Sequence, residues 1–235
     1  MKVLVSPMNI REAEESLKGG ADIIDVKNPA EGSLGANFPW VIREIKEMVA
    51  KKGKLLSATL GDLDFKPGTA SLAAVGAAFS GADYVKVGLY GIKTQNQVYE
   101  MMEKVVRAVK DFKPSVKVVA AGYGDFKRIS SISPIEIVEP AYEAGCDGVM
   151  VDTAIKDGKN LFEFMSKEEV ERFIELAHKF GMFCALAGSL SWHHLEILKE
   201  LKPDIIGVRT MVCENGRNSE IKRELVSRLM ISLKR

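Results

Sequence analysis

The sequence predicts an α/β protein built as a single (β/α)8 barrel over residues 1–235. Three observations lead there. Eight short apolar runs recur along the chain, each followed by a helix-length segment with apolar residues spaced three and four apart. The runs are apolar throughout instead of alternating, as a parallel sheet covered on both faces requires. Dividing the chain by eight gives about 29 residues per strand–helix unit, the size of a compact barrel. A doubly wound sheet is the alternative. It would normally place a glycine-rich phosphate turn after the first strand, but Ser6-Pro7-Met8-Asn9 contains no glycine.

Each element has its own signal. The first run is residues 3–6. The second belongs to a repeated pattern, a small-residue turn, an Asp and then a β-branched stretch: Gly20-Ala21-Asp22-Ile23-Ile24-Asp25-Val26-Lys27. The pattern returns as Gly81-Ala82-Asp83-Tyr84-Val85-Lys86-Val87-Gly88 and as Gly145-Cys146-Asp147-Gly148-Val149-Met150-Val151-Asp152. Its last copy is Lys202-Pro203-Asp204-Ile205-Ile206-Gly207-Val208-Arg209. Runs at 55–60, 116–121 and 183–187 lie between these copies and complete the eight. Helical spacing is clear at Ile42, Ile45 and Val49, and again at Val98, Met101, Met102, Val105, Val106 and Val109. Ser166 before Lys167-Glu168-Glu169 is a helix start. Gly19-Gly20, Gly53, Gly81, Gly145 and Gly181 sit where helices want a left-handed terminator.

Composition removes several function classes. There are 33 Lys and Arg against 32 Asp and Glu, a net charge of +1. That balance argues against a nucleic-acid binder or a polybasic membrane-surface protein. With 46% hydrophobic and 28% charged residues, the chain reads as globular, and its apolar runs are too short to span a membrane. The N-terminus lacks the apolar stretch of a signal peptide. Cys146, Cys184 and Cys213 form no CxxC pair, so they read as reduced thiols of a cytoplasmic protein and argue against structural zinc. The sequence does not fix an oligomeric state, and a homo-oligomer is compatible with it.

In a barrel the chemistry sits at the C-terminal ends of the strands. Asp25 and Lys27 lie two apart and so share one side of the second strand. Lys86 and Asp152 occupy similar heights on the fourth and sixth strands, and even-numbered strands form alternate layers in a barrel. These residues are expected to converge in the lumen, with Lys156 as a helper cation near Asp152. A lysine in a low-dielectric pocket loses proton affinity, and a second ammonium nearby lowers it further. A lysine so tuned attacks carbonyls to give a Schiff base, and a neighbouring Asp can move protons. The competing reading makes each lysine one half of a structural ion pair.

The ends of the seventh and eighth strands are the usual phosphate place in barrels. Gly188 and Ser189 allow close backbone approach and add a hydroxyl. Gly207 leaves space, and Arg209 is expected to grip a phosphate with two parallel hydrogen bonds. Ser191-Trp192-His193-His194 is read as a helix start whose amides favour anions. Adjacent histidines on a helix diverge, so His193 and His194 are not read as a metal pair. Met101, Met102 and Trp40 read as packing residues. The glycine-rich loop 28–37, directly after Lys27, has the length of a lid or substrate clamp.

At these residues the sequence resembles the (5-formylfuran-3-yl)methyl phosphate synthase family of methanofuran biosynthesis in methanogens, whose fold is a TIM barrel. The likeness is carried by Asp22-Ile23-Ile24-Asp25-Val26-Lys27-Asn28-Pro29 and Glu31-Gly32-Ser33-Leu34-Gly35-Ala36-Asn37-Phe38-Pro39-Trp40. Lys66-Pro67-Gly68-Thr69, Tyr84-Val85-Lys86-Val87-Gly88-Leu89-Tyr90-Gly91, Asp152-Thr153-Ala154-Ile155-Lys156-Asp157-Gly158-Lys159 and Cys184-Ala185-Leu186-Ala187-Gly188-Ser189 extend it over the chain. The segment 212–218 follows the pattern least. The resemblance implies a lyase that condenses two molecules of glyceraldehyde 3-phosphate into the furan phosphate, releasing phosphate and water. It places the Schiff-base lysine at Lys27, the proton-accepting lysine at Lys86, and further acid–base residues at Asp25, Asp152 and Lys156. It implies no metal and no organic cofactor, and a triose phosphate as the small-molecule partner. Another Schiff-base aldolase acting on a sugar phosphate, or a non-catalytic barrel that binds one, are the alternatives.

Overall fold

Eight parallel strands pair in chain order, and β1 closes on β8. The computed structural model describes residues 1–217 and 219–233, so residues 218, 234 and 235 of the expected barrel, Asn218 of the divergent segment among them, lie outside the described part. The units are β1 (Lys2–Val5) and α1 (Ile10–Lys18), β2 (Ile23–Val26) and α2 (Pro39–Lys51), β3 (Leu55–Asp62) and α3 (Pro67–Phe79), and β4 (Tyr84–Gly88) and α4 (Gln95–Phe112). They continue with β5 (Lys117–Tyr123) and α5 (Pro134–Glu143), β6 (Gly148–Asp152) and α6 (Lys167–Lys179), β7 (Phe183–Leu186) and α7 (Leu195–Leu201), and β8 (Ile205–Val208) and α8 (Arg223–Ser232). The predicted (β/α)8 barrel is the observed one, and the doubly wound alternative falls because the sheet has no edge.

Alternation along the strands divides the core in two. Outward side chains such as Val3, Val5, Ile24, Val85, Val118, Val149 and Ile206 pack with the inner faces of the helices. Inward side chains, including Leu4, Ile23, Val119, Ala121, Met150, Ala185 and Ile205, fill the lumen. Both faces are apolar, which is why the strands do not alternate in polarity. Ser166 begins α6 with a reciprocal capping box to Glu169. Of the aromatic and methionine residues read as packing, Met101 and Met102 are fully buried. Trp40 is not. It is 59% exposed and stacks on Phe38 with ring centroids 4.7 Å apart.

The repeated Gly-Ala-Asp pattern has a structural cause. In each copy the Asp stands just before an even-numbered strand, and its carboxylate accepts a backbone N–H from the preceding odd strand. Asp22 accepts from Val3 at 3.0 Å, Asp83 from Leu56 at 2.7 Å, Asp147 from Val118 at 2.8 Å and Asp204 from Cys184 at 2.8 Å. Each carboxylate also faces a basic side chain: Lys54, Lys46, Lys110 with Lys117, and His178 respectively. The residue two places before it takes a positive φ, which ends the helix and turns the chain into the strand; it is a glycine in three copies, for instance +105° at Gly81, and Lys202 at +51° in the fourth. Four charged clips therefore fasten the N-terminal rim of the barrel and set the register in which every even strand starts.

Candidate active site

Counting from each clip fixes what faces the lumen. The third and fifth residues after the Asp point inward. They are Asp25 and Lys27 after Asp22, Lys86 and Gly88 after Asp83, Met150 and Asp152 after Asp147, and Gly207 and Arg209 after Asp204. Asp25, Lys27, Lys86, Asp152 and Arg209 are each at most 5% exposed. Ser57 and Thr59 on β3 are buried with them.

The charges are partnered unequally. Lys86 Nζ lies 2.7 Å from Asp25 Oδ1, although neither atom meets the angles of a good hydrogen bond. The other Asp25 oxygen accepts the Ser6 hydroxyl at 3.0 Å. Lys156 Nζ lies 2.5 Å from Asp152 Oδ1 and 3.1 Å from Thr153 Oγ1. Burial opposes the charge of Asp152, but Lys156 and Lys27 overcome it and lower its pKa to about 2. Lys27 forms no ion pair among the described residues. Burial lowers its pKa from 10.5 to about 8 against the opposing pull of Asp152 and Asp25. Three lysines and two aspartates thus leave one amine without its own counter-charge, and that amine is Lys27.

A narrow cavity of about 20 Å³ is lined by Asp25, Lys27, Asp152, Lys156, Gly188, Ser189, Gly207 and Arg209, together with Thr210 and Arg217. Lys86 is not among its lining residues; it stands behind Asp25. Above it lies a cleft of about 830 Å³ that shares Lys156, Ser189, Thr210 and Arg217 with the inner cavity. Gly188 and Ser189 bend the chain here with φ of +102° and +50°. A Cβ on Gly188 would sit 3.0 Å from the Thr153 side chain, so the sequence keeps the backbone bare at this point.

The loop after Lys27 covers this end of the barrel. Pro29–Glu31 forms a single 3-10 turn, and Leu34 is fully buried among the lumen residues. Asp62, at the end of β3, accepts the Leu34 N–H at 3.2 Å and the Tyr123 hydroxyl. Thr59 Oγ1 donates to Gly35 O at 2.7 Å, and Ser33 Oγ to Thr153 O at 2.8 Å. Asn37 Nδ2 reaches back to Lys27 O at 3.3 Å. These bonds tie the loop to β3 and to the residues that directly follow β2 and β6, Lys27 among them.

Several residues that the sequence did not single out support the site. Asp125, 2% exposed, accepts the backbone N–H groups of Ala154 at 2.6 Å and Ile155 at 3.0 Å, and so holds the turn that carries Lys156. Asp62 and Tyr123 anchor the loop. Their signal was slight: each lies two residues past an apolar run, the runs at 55–60 and 116–121.

Arg209 has different partners from the phosphate expected of it. Nη1 and Nη2 bond both carboxylate oxygens of buried Glu12, at 2.7 and 3.1 Å. Nη1 also donates to Ser6 O, Nη2 to Ser219 O and Nε to Arg217 O. An arginine has five N–H donors, and all five are taken by protein acceptors. The segment after Ser191 also differs from a helix start: a 3-10 turn spans Trp192–His194, and α7 begins at Leu195. His194 Nδ1 is bonded within that turn to Ser191.

Solved structures with this architecture include a 3-hexulose-6-phosphate synthase (TM-score 0.67, 15% identity, 99% of both chains) and a putative copper homeostasis protein CutC from Streptococcus agalactiae (TM-score 0.68, 11% identity, 88% of this chain and 97% of that one). At such identities the likeness is one of fold alone. Sequence relatives go further. The chain is 66% identical over 230 residues to the (5-formylfuran-3-yl)methyl phosphate synthase of Archaeoglobus fulgidus and 58% identical to that of Methanosarcina acetivorans, covering 98% of both chains in each case. It is 57% identical to that of Methanocaldococcus jannaschii over 97% of this chain and 98% of the relative. The family model described as 4-HFC-P synthase matches residues 3–230, so the chain, whose buried lysines and aspartates meet at one end of its barrel, belongs to this family of enzymes.

Proposed function

We propose that this chain condenses two molecules of glyceraldehyde 3-phosphate into (5-formylfuran-3-yl)methyl phosphate through an imine at Lys27. One observation carries the reading: Lys27 is the lysine of the site with no carboxylate partner among the described residues, and burial brings its pKa to about 8. Near neutral pH a useful fraction of such an amine is unprotonated and nucleophilic.

The remaining groups suit the steps that follow. The Lys27 nitrogen adds to the triose carbonyl, and the carbinolamine loses its oxygen as water when a proton reaches it from the Asp152–Lys156 pair. The imine acidifies the neighbouring C–H, and the Asp25–Lys86 pair, in which the family resemblance implies Lys86 as the acceptor, takes that proton. The electron pair left on carbon then expels the phosphate one carbon further on, breaking its C–O bond. The resulting species joins the second triose. Ring closure, loss of water and release from Lys27 give the furan. The net change is two triose phosphates to one furan phosphate, one inorganic phosphate and two waters. It balances without an outside oxidant or reductant.

The test is borohydride trapping with glyceraldehyde 3-phosphate, the adduct mapped by mass spectrometry. A reduced adduct on Lys27, together with furan absorbance in the near ultraviolet during turnover, is the expected result. Labelling elsewhere, with Lys27→Ala still making the furan, refutes it. A trapped Lys27 with only a linear, non-absorbing product would identify an aldolase instead.

A further inference from the structure

The loop after β8 carries a second arginine whose surroundings are the reverse of Arg209. Cys213 and Ile221 pair as an antiparallel bridge, Asn215 N donates to Ser219 Oγ at 2.8 Å, and Gly216 turns the tip with φ of +83°. Arg209, locked onto Glu12, pins this small hairpin through its bonds to Arg217 O at 2.8 Å and Ser219 O at 3.2 Å. The Arg217 side chain then lines both the inner cavity and the outer cleft. It forms no ion pair or side-chain hydrogen bond among the described residues. Burial lowers its pKa, and the charge of Asp152 only partly opposes this. The hydroxyls of Ser189 and Thr210 border the same two spaces and bond to no other described residue.

A guanidinium drawn out of water keeps its charge and needs an anion to replace its hydration. The planar donor fork fits a phosphate better than a single oxygen. The aspartates of the site are already engaged, Asp25 by Lys86 and Ser6 and Asp152 by Lys156. We infer that Arg217, with the Ser189 and Thr210 hydroxyls, binds the phosphate group of a phosphate monoester at the junction of cavity and cleft, and that Arg209 and Glu12 are the positioning residues that present it. The arginine that the end of β8 itself supplies therefore shapes the site, and its neighbour on the hairpin does the binding. The inference rests on the proposed function only for the identity of the molecule that carries the phosphate; binding of inorganic phosphate stands apart from it.

The test uses the whole chain and two probes. Inorganic phosphate is titrated calorimetrically into wild type, Arg217→Ala and Arg217→Lys. Arg217→Ala is expected to weaken binding at least tenfold with an unchanged melting temperature, and Arg217→Lys to recover part of it. Equal phosphate affinity in wild type and Arg217→Ala, or no binding by wild type at millimolar phosphate, overturns the inference. In the second arm, borohydride trapping compares glyceraldehyde 3-phosphate with unphosphorylated glyceraldehyde. Wild type is expected to favour the phosphorylated triose, and Arg217→Ala to reduce that preference at least tenfold by raising the concentration needed for half-maximal trapping, while the maximal extent is kept. An undiminished preference refutes the inference even if Lys27 is trapped. Loss of phosphate affinity in Arg217→Ala without any trapping at Lys27 in wild type refutes the proposed function and leaves the inference standing. Glu12→Gln is expected to weaken phosphate binding in the same direction, with a further loss in Arg217→Ala absent; additive losses would refute the positioning role.

Discussion

Replacing Lys27 with methionine should make the folded protein more stable while removing imine formation. The magnitude comes from the lysine's own ionisation. A pKa that falls from 10.5 in an open chain to about 8 in the barrel means that the folded state disfavours the ammonium. At about 1.4 kcal/mol per pH unit, the difference is about 3 kcal/mol. The sign is that of a depressed base. The penalty is fully present below pH 8, where both states carry the proton. It shrinks as pH rises from about 8 towards 10.5 and vanishes above that, where both states are neutral. Methionine has a similar shape, carries no charge and keeps the apolar stem. Lys27→Met is therefore expected to raise unfolding free energy by up to about 3 kcal/mol at pH 7, with the gap closing between pH 8 and 10.5. Urea titrations of wild type and variant at several pH values measure it. A variant less stable than wild type at pH 7, or a gap that does not change with pH, would refute the account of Lys27 as a buried amine without its own counter-charge. The same pKa predicts that borohydride trapping falls about tenfold for each pH unit below 8.

Other perturbations separate the roles of neighbouring groups. Asp25→Asn leaves the Lys86 ammonium buried without its carboxylate and should cost about 3–5 kcal/mol; the double variant Asp25→Asn with Lys86→Met should recover most of this in denaturant titrations, and failure to recover would mean that the pair is not coupled. Gly32 has a φ of +132°, and an added Cβ would stand 2.1 Å from Asp62 Oδ2. Gly32→Ala should therefore displace the covering loop and slow trapping at Lys27 at least tenfold with little loss of secondary structure by circular dichroism; unchanged trapping would show that the loop's closure is irrelevant to the chemistry. Asp83→Asn removes the charge that holds the Leu56 N–H and Lys46 at the opposite rim. It should cost about 1–3 kcal/mol in a thermal melt, yet leave turnover at ordinary temperature intact; a large loss of activity in the folded variant would break the division between the two ends of the barrel.

The barrel and the inward-facing lysines and aspartates were legible because a single period governs them. Strand alternation is local and is written in consecutive residues, so Asp25 with Lys27 could be placed on one side of β2 from sequence. Lys86 and Asp152 followed from the repeat in which they stand. The partners that hold these groups were not legible in that way. Glu12 is on α1 and meets Arg209 from 197 residues away. Asp125 follows β5 and bonds a turn 29 and 30 residues later. Such pairings depend on barrel closure and loop path, which no local period encodes. The fate of Arg209 shows the limit. Its type and position at the end of β8 are those of a phosphate ligand, and only the long-range carboxylate decides that its donors are consumed.

The four clips also explain why the chemistry is concentrated on the even strands. Each clip Asp fixes one end of its strand by accepting a neighbour's backbone N–H, so the third and fifth residues after it are committed to the lumen before their identity matters. Charge at those positions is costly to bury, and the odd strands supply uncharged residues beside them, Leu4, Val119, Ala121 and Ala185 together with the hydroxyls of Ser57 and Thr59. The even strands supply Asp25, Lys27, Lys86, Asp152 and Arg209. Four of these five have an opposite charge within 2.7 Å or less, which offsets much of their desolvation. Lys27 has none among the described residues, so its burial stays a net cost to the folded state. A structural Asp and a reactive Lys five residues apart in Asp22-Ile23-Ile24-Asp25-Val26-Lys27 are thus two parts of one strand, the first setting the register that the second requires.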